Sequence, residues 1–338
     1  MRWALDINLH IGAHRNATTT FQQFLKRNQS TLRHAGVDVW TPDRTRNGLF
    51  SGLIERPEDV TEQIERRGQR SCGVIAIKLE LAARAGRNQV LIAEENMIGS
   101  TRNNLRQGRL YPLPDERLVR FRPALGKSVR RIGLSIRCYD TFWASSLAYG
   151  IVQGFRLPTA DDLDRYVTQP RRWRHVIADI AAVFPDAEII IWPFERFAGQ
   201  PETQLALLAG NLDLPVPLTG ARDWINPSLR CDKLRTILAL RGEGTALDLT
   251  EKAGRWMPFD DVQRMALRAQ YSVDLDWLRR GADGLARFVD AVPQAMAAGP
   301  DLKLRYDMDG TDKANRGRLV PYALSEGGRE FGTQKLLV

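Results

Sequence analysis

Cysteine is scarce: three residues, Cys72, Cys138 and Cys231, are scattered through 338. Their spacing fits neither a disulfide framework nor a metal-ligand pattern, which excludes both as organising devices. They read as small buried apolar residues of a reducing compartment. No stretch approaches the roughly twenty apolar residues that a membrane-spanning helix requires. The opening Met1-Arg2-Trp3-Ala4-Leu5-Asp6 lacks the apolar run of a signal peptide. A cytoplasmic location is the simplest expectation. There is also no internal repeat, no heptad run and no nucleic-acid-binding motif, and the arginines are scattered rather than striped.

What the chain does carry is positive charge, a formal net +9. That suits an anionic partner, and a nucleotide, an acidic glycan or a lipid surface fit it equally well. It is also consistent with solubility alone. The length allows one large core, and a single domain over 1–300 is expected, mainly helical over 200–300, followed by a loosely held tail over 301–338. Apolar runs at 7–11, 90–93, 132–136 and 188–192 lack strict alternation, as do strands covered on both faces. Helical patterns at 18–32, 73–85, 140–149 and 161–184 separate them, and only helices are expected after 199, at 200–209, 231–240, 261–270 and 281–296. The order implies an α/β fold with a three-layer parallel sheet flanked by helices and a helical C-terminal extension.

The first strand ends at Gly12, and a polar turn opens into a helix with apolar Phe21, Phe24, Leu25 and Leu32. That layout aims free N–H groups and a positive dipole end at one point, where Arg15 and the hydroxyls of Thr18, Thr19 and Thr20 also stand. It is an anion cradle. The nucleotide triphosphatase loop needs G-x-x-x-x-G-K-[ST], but here Ala17 fills the second glycine position and Thr18 the lysine position. A second candidate anion site comes at Arg137, at a strand end, with Ser145 eight positions later on the next helix. Arginine offers a planar donor fork and serine a hydroxyl for one phosphate.

The loop, with its cation followed by x-x-Thr-Thr, and the Arg137/Ser145 spacing together resemble the sulfotransferases that use 3′-phosphoadenosine-5′-phosphosulfate (PAPS). Segments 92–99, 109–112, 192–197 and 226–229 are also similar to the bacterial members, so the likeness covers about 7–240. The resemblance implies a P-loop-like fold, PAPS as co-substrate and no metal. It gives Arg15 the place of the family's lysine, and Thr18 and Thr19 the 5′-phosphate. Thr20 and the N–H groups of Asn16 and Ala17 complete the cradle. Arg137 and Ser145 take the 3′-phosphate, and Asn226 and Ser228 touch the nucleotide. The chain departs from the family in Arg15, which keeps the charge but cannot donate a proton, and in Ala17, which is acceptable only if φ there is negative.

A general base is expected near the acceptor. Glu94 and Glu95 follow a strand end beside the donor site, and Glu95 occupies the matching position; helix capping or pairing with an arginine is the alternative for each. His14 either touches phosphate or acceptor or orients the loop backbone. His10 reads as core, and His34 and His175 as surface or packing residues. The expected activity is transfer of a sulfuryl group to a hydroxyl or amine of a small-molecule, glycan or lipid acceptor. The 155–174 segment, with Arg165, Arg171, Arg172 and Arg174, reads as a lid toward an acidic acceptor or as an ordinary solvated helix. The rivals are a P-loop small-molecule kinase and an inactive relative that binds anionic glycan.

Overall fold

The computed structural model describes residues 5–223, 225, 229–243 and 254–292. Within them, β1 (Asp6–His10), β2 (Val37–Trp40), β3 (Gln89–Ala93), β4 (Val129–Ile136), β5 (Glu188–Pro193) and β6 (Arg287–Phe288) form one sheet. Its order is β2-β3-β1-β4-β5-β6, and every pair is parallel. Leu9 of β1 lies between Ile92 of β3 and Ile132 of β4, which sets the central register.

Alternation along the strands divides the core in two. Val90, Ile92, Ile132, Leu134, Ile189 and Ile191 belong to the larger apolar cluster, whereas Leu91, Ala93, Ile190 and Trp192 belong to the smaller. Because successive side chains point to opposite faces, these are the two covers of one sheet. The smaller face is covered by α1 (Thr18–Arg27), through Phe21, Phe24 and Leu25, with α2 (Gln29–His34) contributing Leu32. Burying each of these α1 side chains stabilises the fold by roughly 1.5–3 kcal/mol. The larger face takes α3 (Glu62–Arg84), α4 (Thr101–Gln107), α5 (Tyr139–Val152), α6 (Ala160–Thr168) and α7 (Trp173–Val183). Gly133 of β4 has no room for a side chain, since a Cβ there would lie 2.5 Å from the Trp192 indole.

Two strands were not among the four expected. β2 is only four residues long, and β6 two, too short for a run of either period to register. β6 also corrects the expectation of helices alone beyond 199. There α8 (Pro201–Ala209), α9 (Cys231–Leu240) and α10 (Asp261–Arg279) are helical, but the chain forms a 3₁₀ turn at Ala282–Gly284 and then adds the sixth strand, where a helix over 281–296 was expected. α9 and α10 pack on α5.

The helix expected over 161–184 is two helices. Gln169 precedes Pro170 and turns extended, with ψ 138°, because the proline ring disfavours helical geometry in the residue before it. The helix expected over 18–32 breaks at Asn28, whose amide nitrogen donates to the carbonyls of Phe24 (2.8 Å) and Thr219 (2.9 Å) while its oxygen accepts from the Thr219 N–H. No described helix is long and apolar enough to cross a membrane. The expected tail over 301–338, with its 313–318 cationic cluster, lies outside the described residues.

Candidate functional site

The turns after β1, β3 and β4 leave the same edge of the sheet. The chain goes from β1 to β2 on one side, then from β3 across β1 to β4 on the other, so β1 is the point where strand order reverses. Ligands of open α/β sheets bind at this crevice.

Hydrogen bonds fasten the first turn to β4. Ser135 N–H donates to the Gly12 carbonyl (2.7 Å), Ala13 N–H to the Ser135 carbonyl (3.0 Å), and Asn16 Nδ2 to the same carbonyl (2.6 Å). Gly12 sits at φ +111°, and a Cβ there would lie 3.1 Å from that of Glu95, so the turns after β1 and β3 are in close approach. Arg15 (φ +63°) and Ala17 (φ +58°) are also left-handed. The negative φ required of Ala17 is therefore corrected: the family's glycine position keeps its left-handed backbone here, with an alanine in it, at a cost of about 1–2 kcal/mol.

Ala17 is the N-cap of α1, where it supplies no side-chain hydrogen bond, and the first turn carries no carboxylate. The positive end of the helix thus keeps an uncapped first turn formed by Thr18, Thr19 and Thr20. Thr18 is buried and Thr19 half-buried. Thr20 departs from its expected place in the cradle. Its hydroxyl donates to the Ile225 carbonyl (3.3 Å) and accepts from the Ile225 N–H (3.2 Å), which latches that residue to the helix start. Asn226 and Ser228, expected to touch a nucleotide, lie outside the described residues.

The two distant anion motifs are brought together. Arg137 Nη1 donates to the Arg15 carbonyl (2.8 Å), and Arg15 Nε donates to Ser145 Oγ (3.2 Å). Two guanidinium groups and the start of α1 thereby share one corner. Arg137 is buried, its Nε bonded to Thr141 Oγ1 (3.0 Å) and its guanidinium 4.4 Å from the centre of the Phe194 ring. Arg15 lies 5.1 Å from the centre of the Tyr149 ring. Ser145 is on the second turn of α5, and Trp143 of the same turn is fully buried in the core.

His14 holds the loop to its neighbours. Its N–H donates to Tyr111 Oη (2.8 Å), which lies 3.0 Å from Nδ1, and Nε2 lies 3.0 Å from Asn96 Oδ1. With Asn96 Oδ1 accepting, Nε2 carries the proton and Nδ1 accepts from Tyr111. Burial holds the imidazole pKa below its ordinary value, against the pull of Glu95. Both ring nitrogens are occupied by contacts that hold the loop, which is the backbone-orienting alternative for His14. His10 lies in the core, its ring 4.5 Å from that of Phe21, with neither nitrogen hydrogen-bonded.

The glutamates share one cation. Arg46 Nη2 meets Glu94 Oε1 at 2.6 Å and Glu95 Oε1 at 3.0 Å. Glu94 is wholly buried, and it also accepts from Thr45 Oγ1 (2.5 Å), Arg46 Nε (3.0 Å) and the Asn96 N–H (3.1 Å). Burial and the adjacent Glu95 charge raise its pKa above the usual carboxylate range. Saturated and inaccessible, Glu94 anchors the segment after β2 and has the arginine partner given as the alternative to a base. Glu95 accepts from Gln22 Nε2 (2.5 Å) and keeps a small exposed surface, 8%. Burial pushes its pKa up, but His14, Arg46 and its own backbone hydrogen bond together hold it below the usual value, so the group is an anion at neutral pH.

Arg165, Arg171, Arg172 and Arg174 of the 155–174 segment, read as a lid or as a solvated helix, all have partners. Arg165 pairs with Asp162 (3.1 Å), Arg171 with Asp179 (2.5 Å) and Arg174 with buried Asp274 (2.7 Å), while Arg172 donates to the Gln169 and Arg171 carbonyls. The segment is fastened to the body. His34 and His175 are exposed, as surface histidines. Cys72 and Cys138 are half-buried rather than buried, Cys231 is buried, and none of the three forms a disulfide. Among the described residues no group of three His, Cys, Asp or Glu is placed to hold a metal.

Sequence reasoning missed Arg46, Gln22 and Thr141. Two adjacent glutamates after a strand were the available signal for Arg46, since burying such a pair requires a countercharge. No family model matches the chain, and no curated protein matches it.

Proposed function

We propose that the chain is a sulfotransferase that uses PAPS, on a P-loop-like sheet, and acts on a hydroxyl or amine. The observation that carries the reading is the corner formed by Arg15, Arg137 and Ser145, which gathers two sequence-distant anion motifs beside one helix start. The local chemistry fits a doubly anionic nucleotide: two guanidinium groups, hydroxyls of Thr18 and Thr19, and a first helical turn free of carboxylate. When bound, PAPS supplies the sulfuryl group and a phosphate leaving group. Arg15, Thr18 and Thr19 hold the 5′ end, and Arg15 stabilises charge on the departing oxygen without donating a proton. Arg137 and Ser145 hold the 3′-phosphate. Glu95, anionic and adjacent to Gly12, takes the acceptor's proton as the new bond to sulfur forms.

Calorimetric titration with adenosine 3′,5′-bisphosphate and with ATP tests this reading. The bisphosphate is expected to bind more tightly, with affinity falling about tenfold or more in Arg15→Ala, the usual worth of one charge-assisted contact. Preference for ATP, or no binding of either nucleotide, refutes it.

A further inference from the structure

A cavity of about 830 Å³ opens at the carboxyl end of β2, walled by α1, by α3 and by the 41–51 segment. Five cations line it, Lys26, Arg44, Arg67, Arg70 and Lys78, against a single carboxylate, Asp43. Two of the five are compensated: Lys26 pairs with Asp43, and Arg44 with Asp38 at 2.9 Å. The other three stand on α3 with Ser71 and Val74, at spacings of three, four, seven and eleven residues that place all five on one helical face.

α3 has acidic residues, but each is engaged elsewhere. Glu62 pairs with Arg66 (2.5 Å), Glu65 with Arg120 (3.2 Å) and Glu80 with Arg84 (2.9 Å). Among the described residues Arg67, Arg70 and Lys78 form no ion pair. A helix face that collects like charges while its carboxylates serve other sides is disfavoured unless an anion meets it. Arg67 and Lys78 are about 16 Å apart along the axis at the usual helical rise, so one phosphate cannot reach both. A ligand with separated charges can.

The cavity also borders the candidate site. Trp40 pairs in register with Ile92, so Thr41 in the cavity wall stands beside the end of β3. Thr45 and Arg46, in that same wall segment, bind Glu94 and Glu95. Gln29, Thr41 and Asn47 offer neutral hydrogen-bonding groups. We propose that this cavity binds a hydroxyl-rich organic oligoanion, a sugar-like scaffold bearing two or more separated sulfate, phosphate or carboxylate groups, and that this is the acceptor. The binding claim stands on the cavity; its identification as the acceptor rests on the transferase reading above.

The experiment titrates the full chain with a sulfated tetrasaccharide and, separately, with adenosine 3′,5′-bisphosphate, in wild type, Arg67→Ala, Lys78→Ala and Arg84→Ala. Arg84 is on the same helix but outside the cavity, so it controls for charge alone. Expected is a loss of about tenfold in tetrasaccharide affinity for each of Arg67→Ala and Lys78→Ala, unchanged binding in Arg84→Ala, and unchanged bisphosphate affinity throughout. No tetrasaccharide binding, an equal loss in Arg84→Ala, or binding only to phosphatidylserine vesicles overturns the proposal. Incubation with labelled PAPS then tests the acceptor claim, with transfer to the tetrasaccharide expected and a raised KM in Arg67→Ala. Tetrasaccharide and bisphosphate binding without transfer overturns the acceptor claim. Tetrasaccharide binding without bisphosphate binding overturns the transferase reading and leaves the binding claim supported.

Discussion

His10 makes stability depend on pH in a way that can be worked out. The imidazole lies in β1 between Phe21 and Trp192, and neither nitrogen has a hydrogen-bond partner. Burial lowers its pKa from 6.5 to about 4, with Glu95 and its own backbone opposing only in part. The unfolded chain takes up a proton near the ordinary value, whereas the folded one resists it until about pH 4. Stability is therefore complete above about pH 6.5, falls as pH drops through the interval, and levels off below about pH 4. At about 1.36 kcal/mol per decade the full loss is about 3 kcal/mol, of which about 2 kcal/mol is present at about pH 5. His10→Leu removes the proton site and keeps an apolar side chain of similar bulk. Urea unfolding followed by tryptophan fluorescence, run on both proteins at about pH 7 and about pH 5, isolates the contribution, because other titrating groups cancel in the difference. The variant should gain about 2 kcal/mol on the wild type between the two conditions. A difference that stays constant with pH refutes the reasoning, as does an NMR titration that places the His10 midpoint near its ordinary value.

Two further substitutions probe the turns themselves. Arg46→Met strips two buried carboxylates of their shared cation, and should destabilise the fold by about 3 kcal/mol at neutral pH. Because the Glu94 pKa, already raised, then rises further and that of Glu95 is no longer held down by Arg46, that loss should shrink as pH falls; denaturant melts that show no such recovery contradict the shared-cation account. Ala17→Gly relieves a left-handed alanine at φ +58° and should raise stability by about 1 kcal/mol after the entropic cost of glycine. A lowered melting temperature would mean that the alanine methyl makes packing contacts worth more than the backbone strain.

The central strands were legible because their chemistry is local. Runs such as Ile189-Ile190-Ile191 need no tertiary information to declare a strand covered on both faces, and the observed β5 starts where expected. β2 and β6 owe their existence to neighbours: four and two residues acquire strand geometry by pairing with β3 and β5. Within the site, spacing could relate Arg137 to Ser145, since eight residues span the start of α5, and the structure sets both against Arg15. Spacing could not predict where donors would be consumed. Thr20 reads like Thr18 and Thr19 in one dimension, yet its hydroxyl is committed to Ile225, 205 positions away. Glu94 and Glu95 are chemically identical neighbours, and the turn that leaves β3 makes one the dry anchor of the 41–51 segment while the other retains an exposed sliver against the first loop. Arg46 carries no local pattern at all, because its role exists only once two buried carboxylates need it.

One guanidinium pins the peptide oxygen of residue 15 from the far side of the sheet's centre. The corner is consequently a single mechanical part: a displacement of the Arg137 side chain is passed directly to the backbone that aims Arg15. Residues 15 and 137, which follow adjacent strands, are thereby held as one unit by a contact that involves no helix packing.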